Sequence, residues 1–133
     1  MYGTNITKIF KTNIEEETLE NPFYRKVLFT TPDMQLVVMK IYPGERIPEE
    51  THQGTQFIRV EKGEIFVRVG NKEFILKDDE IVMIPDNTLH YFENVGLEPV
   101  SLYSIYSPPE HYPTTEEYMP DYIPFTENYA STY

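Results

Sequence analysis

Residues 44–63 read Gly-Glu-Arg-Ile-Pro-Glu-Glu-Thr-His-Gln-Gly-Thr-Gln-Phe-Ile-Arg-Val-Glu-Lys-Gly, and the reading of this stretch decides the fold. Its second half, Gln56-Phe57-Ile58-Arg59-Val60, has the composition and alternation of a strand, and Lys62-Gly63 ends it. Gln56, Ile58 and Val60 share one face; Phe57 and Arg59 share the other. Glu50 and His52 are two apart, so in an extended chain both side chains leave one face. That is also the face of Gln56, provided Gln53-Gly54-Thr55 does not turn the parity over. If Ile58 and Val60 face a core, Glu50, His52 and Gln56 tend to face it too.

Outward from this stretch the pattern stays β. Leu36 to Tyr42 is strand-like, with Val37, Met39 and Ile41 on one face, and Pro43-Gly44 ends it. Ile65, Val67 and Val69 alternate with Phe66 and Arg68. Gly70-Asn71 then predicts a tight hairpin into Phe74-Ile75-Leu76. Lys77-Asp78-Asp79 and Pro85-Asp86-Asn87 are turns around an apolar run at 81–84. His90-Tyr91-Phe92 and Val100 to Tyr106 complete the series. Many short strands between turn residues predict an all-β sandwich or barrel. Thr12 or Asn13 can cap a short helical turn whose first residues include Glu15-Glu16-Glu17.

We divide the chain into a polar N-terminal arm over 1–20, a barrel over 21–107 and an acidic Pro/Tyr-rich arm over 108–133. The last contains Pro108, Pro109, Pro113, Pro120 and Pro124, a density that prevents regular elements. Its tyrosines are too many for an inert tail, so we expect it to pack over the barrel or over a partner subunit.

The 133 residues fit one domain. There is no cysteine, so thiolate metal sites and disulfides are excluded, and any metal must be held by nitrogen and oxygen. The net charge is -11, and no Lys or Arg follows Lys77. Such a surface repels phosphate backbones and anionic membranes, so neither nucleic acid nor membrane is expected as a partner. Met1 to Phe10 does not read as a signal peptide, and a cytoplasmic location is expected.

His90 follows the turn at Pro85-Asp86-Asn87, and His111 follows Pro108-Pro109-Glu110. By spacing alone, Glu50, His52, Gln56 and His90 read first as polar residues that lie on the surface or satisfy one another, with a metal site as the lesser alternative. Residues 44–63 resemble the first cupin motif, G-x5-H-x-H-x3-E-x6-G. Gly44 and Gly63 are its glycines and His52 its second histidine. Glu50 stands at the first histidine and Gln56 at the glutamate. Residues 79–94 resemble the second motif, G-x5-P-x-G-x2-H-x3-N, with Pro85, His90 and Asn94 in place. Asp79 and Asn87 replace its glycines, and Asn tolerates the positive φ that such a turn needs.

The resemblance extends over roughly residues 20–111, to small single-domain cupins often labelled mannose-6-phosphate isomerase-like, whose usual tail is not evident here. It implies a double-stranded β-helix, or jelly roll, holding one divalent metal at Glu50, His52, Gln56 and His90. The shell keeps the single negative charge of the usual three-His, one-Glu set. Zn, Mn, Fe, Ni and Co all suit it. A two-His, one-carboxylate triad with Gln56 beside it is the variant form. The functional expectation is a small metalloenzyme, sugar isomerase-like or dioxygenase-like. The alternative is a small-molecule-binding or structural cupin. Glu50 and Tyr106 are the candidate proton-moving groups. Arg59 and Phe57 are expected on the outside, where a homodimer partner can cover them. His111 is read as a surface residue.

Overall fold

The computed structural model describes residues 8–120. Ten strands and one short helix follow in the order α1 (Ile14–Glu20), β1 (Arg25–Thr30), β2 (Gln35–Ile41), β3 (Arg46–Glu50), β4 (Thr55–Lys62), β5 (Glu64–Val69), β6 (Lys72–Lys77), β7 (Ile81–Ile84), β8 (His90–Glu93), β9 (Val100–Ser107) and β10 (Glu116–Glu117). They form a six-stranded sheet, β10-β1-β2-β9-β4-β7, and a four-stranded sheet, β3-β8-β5-β6. Every pairing is antiparallel. The two sheets enclose one apolar cluster, so the architecture is the expected all-β jelly roll.

Side-chain alternation explains the core. Val37, Met39 and Ile41 of β2, Ile58 and Val60 of β4, and Ile65 and Val67 of β5 are all buried. Phe57 and Arg59 point the other way, and Arg59 pairs within the chain with Asp79 at 2.8 Å and Glu61 at 3.4 Å. The β5–β6 hairpin closes through Gly70 at φ +60°, a first central position that favours glycine. Asp79 and Asn87, at the two missing motif glycines, adopt φ +69° and +56°. Those turns therefore keep the left-handed backbone without glycine.

Asn13 caps α1, its Oδ1 accepting from the Glu16 amide at 3.0 Å. The helix lies against β2, β4 and β9. Val38 and Ser101 point away from the core yet are buried, which the helix explains. After β9 the chain crosses back, and β10 pairs with β1, bringing Glu117 opposite Arg25. Among the described residues no helix is long and apolar enough to cross a membrane. The remainder of the C-terminal arm, from Asp121 on, lies outside the described residues.

Candidate metal centre

Glu50 reaches the interior through a defect in β3. Ile47 pairs with Phe92 and Glu50 with His90, so three steps on β3 match two on β8. One extra residue is bulged out between them, at Pro48-Glu49. Ile47 and Glu50, an odd number apart, can then both face inward. Pro48 suits that place because a bulge needs one fewer ladder donor.

His52 sits on the β3–β4 loop, and the loop is held from the other rim. Asn87 donates its amide to the His52 carbonyl at 3.1 Å. Gly54 donates its amide to Asp86 Oδ1 at 2.6 Å. Gly54 is at φ +90°, and a Cβ there would lie 2.1 Å from the Ser107 carbonyl oxygen. Only glycine fits, and the parity of His52 and Gln56 survives the loop. Gln56 is buried and faces inward with Ile58 and Val60.

Glu50, His52 and His90 each bring one ligand-capable atom to within 4.8 Å of the others. His90 Nδ1 lies 2.8 Å from the Thr88 carbonyl, which can only accept, so Nδ1 carries the proton. That leaves Nε2 with its lone pair when the ring is neutral. Nε2 is buried without a hydrogen-bond partner; Glu50 Oε1, at 3.6 Å, is beyond hydrogen-bond range. Gln56 lies beside the three. Its Nε2 donates to Tyr106 Oη at 3.1 Å and Ser104 Oγ at 3.3 Å, which turns Oε1 toward His52 Nε2 at 3.1 Å. The residues present fit a divalent cation: an unpartnered imidazole nitrogen, a carboxylate, a second imidazole and an oriented amide oxygen.

Electrostatics agree. Burial opposes ionisation of Glu50, but His90, His52 and Arg25 outweigh it and hold its pKa below the ordinary value. Burial likewise opposes a charge on His90, but Glu50 and the Thr88 carbonyl prevail and raise it. Burial pushes the Tyr106 phenol well above its usual range, so it stays protonated.

Beyond the triad, a cavity of about 590 Å³ opens beside Glu50 and is roofed by the C-terminal segment. Gln35, buried in β2, is the clamp. Its Oε1 accepts from the amides of Glu110 at 3.1 Å and His111 at 2.8 Å, and its Nε2 donates to the His111 carbonyl at 2.7 Å. His111, expected at the surface, is half-buried, with its ring 5.2 Å from that of Tyr106. Arg25, buried at 8% exposure, pairs with Glu117 at 2.6 Å across the β1–β10 register. The sequence reading passed over Gln35 and Arg25. A signal existed for Gln35, a polar residue at the parity of Val37 and Met39; none existed for Arg25.

A family model of the cupin domain matches residues 37–106. The chain belongs to the cupin family. A protein of Acanthamoeba polyphaga mimivirus is 39% identical over 115 residues, covering 83% of this chain and 72% of its own. YrkC of Bacillus subtilis strain 168 is 36% identical over 111 residues, covering 78% of this chain and 60% of its own. A crystal structure from Bacillus halodurans superposes at TM-score 0.80 with 38% identity, over 83% of this chain and 89% of that one.

Proposed function

We propose that this cupin binds one divalent metal through Glu50, His52 and His90, with Gln56 as fourth ligand, and acts on a small oxygenated molecule in the adjoining cavity. The observation that carries this reading is His90 Nε2. A metal-free network accounts for Gln56, which bonds His52, Tyr106 and Ser104. It leaves His90 Nε2 buried with no hydrogen-bond partner; the nearest acidic group, Glu50 Oε1 at 3.6 Å, serves it only when the ring is protonated. In the neutral ring, leaving that atom without a partner costs about 1–3 kcal/mol, and a cation removes that cost.

The donors are nitrogen and oxygen only, which suits Zn, Mn, Fe, Ni or Co alike. When bound, such an ion supplies Lewis acidity toward a substrate oxygen. The chain supplies the rest. Thr88 fixes the His90 tautomer. Tyr106 and Ser104 fix the Gln56 amide. Glu50, ionised and half exposed, is the group able to accept a proton from a ligand in the cavity. Tyr106 keeps its proton and acts as a neutral positioning group.

Elemental analysis of protein purified without chelator or nickel resin tests this. About one ion per chain is expected, and Glu50→Ala and His90→Ala should lower metal content and melting temperature together. Full metal occupancy in both variants would overturn the ligand assignment.

A further inference from the structure

The cavity beside Glu50 carries an unusual balance of charge. Its walls include three carboxylates, Glu50, Glu110 and Glu117, with Arg25 as the one Lys or Arg and His111 as the one histidine. Arg25 does not serve as a free anion receptor, because Glu117 holds it at 2.6 Å. A metal ion at the triad would cancel the remaining excess of negative charge and leave none over for an anionic ligand. Hydroxyl groups meet the opposite situation. They can donate to the Glu110 and Glu117 carboxylates.

Resting on the metal reading above, we propose that this cavity takes a neutral polyhydroxylated molecule of sugar size. Glu117 is a specificity-determining residue, because it occupies the guanidinium that would otherwise hold a carboxylate or phosphate. A phosphate ester, with close to two negative charges, is the ligand the site rejects most strongly. Glu117 belongs to the C-terminal segment, so selectivity is set by a piece of chain outside the motifs that set the metal site.

Calorimetric titration of the metal-loaded protein with neutral pentoses and hexoses, their aldonates and their phosphate esters tests this. Neutral sugars should bind more tightly by about tenfold or more, the scale of one poorly screened like-charge contact. Glu117→Gln, which leaves the Arg25 charge uncompensated, should narrow or reverse that preference. Glu110→Gln removes one acid without touching the Arg25 pair and should narrow it less. An anion binding wild type more tightly than its neutral parent overturns the proposal. So do an unchanged preference in Glu117→Gln and the absence of binding by any neutral sugar. Metal content measured on the same samples shows separately whether the metal reading stands.

Discussion

Glu50 and Glu117 border the same cavity from opposite supports. Glu50 stands on a strand whose bulge, partner strand and facing loop are all part of the barrel. Glu117 stands on a two-residue strand at the sheet edge, held by Arg25, by the Gln35 clamp higher up, and by Tyr118 stacking on Phe23 at 4.3 Å. The first wall is fixed by backbone register and buried neighbours. The second is fixed by a two-residue backbone pairing, the Val27 amide on the Thr115 carbonyl at 3.0 Å, and a few side-chain contacts to a segment rich in proline. The wall that bears the candidate metal ligands therefore has the longer strand pairing and the more buried neighbours, and the wall across the cavity has fewer contacts to lose before it opens.

The largest expected effect breaks the first wall. Gly54→Ala places a Cβ against the Ser107 carbonyl at a backbone angle alanine avoids. It should cost about 3 kcal/mol or more, read as a lowered midpoint in chemical denaturation. A change under about 1 kcal/mol would mean that the loop has other arrangements. Gln35→Ala should do less to the barrel and more to the roof. It strips two amides and a carbonyl of the segment of their partner, at about 1–3 kcal/mol. Amide exchange should rise at residues 110–117 while β4 and β9 stay protected. Uniform exchange across both would argue that the roof and the barrel open as one unit.

The smallest effect is a dependence on pH. His90 must lose its Nε2 proton to bind a metal. Its raised pKa therefore makes metal affinity fall as pH falls through that value, with about one proton released per ion on the acid side. Without metal the sign differs for stability. The His90 contribution is present below its ordinary value of about 6.5 and fades as pH rises through the raised one. That of Glu50 is present above its ordinary value of about 4.3 and fades as pH falls through the lowered one. Metal-free protein should thus be most stable in mildly acid solution, and adding metal should move the optimum upward. An identical pH optimum with and without metal would dissociate His90 from the site.

Much of this was legible in the chain. Alternation at Gln56, Ile58 and Val60 named the inner face, and the positions of Asp79 and Asn87 named turns that turned out left-handed. The placement of Glu50 was legible in outcome but not in cause. The spacing from His52 gave the correct face, while the bulge that makes it agree with Ile47 leaves no periodic trace. Arg25 and Glu117 are 92 residues apart and meet only because β10 returns to β1, so no local pattern announces them. Val38 and Ser101 obey strand alternation, and their burial depends on a helix from another part of the chain.

The bulge at Pro48-Glu49 also bears on how such a sequence can change over time. Replacing either residue leaves the count between Ile47 and Glu50 intact. Losing one residue there sets Ile47 and the carboxylate two apart, and with β8 still paired a regular strand keeps both facing inward. This short segment should therefore accept many spellings and tolerate a single-codon deletion, whereas the same deletion at Thr51 makes Glu50 and His52 adjacent and turns their side chains to opposite faces.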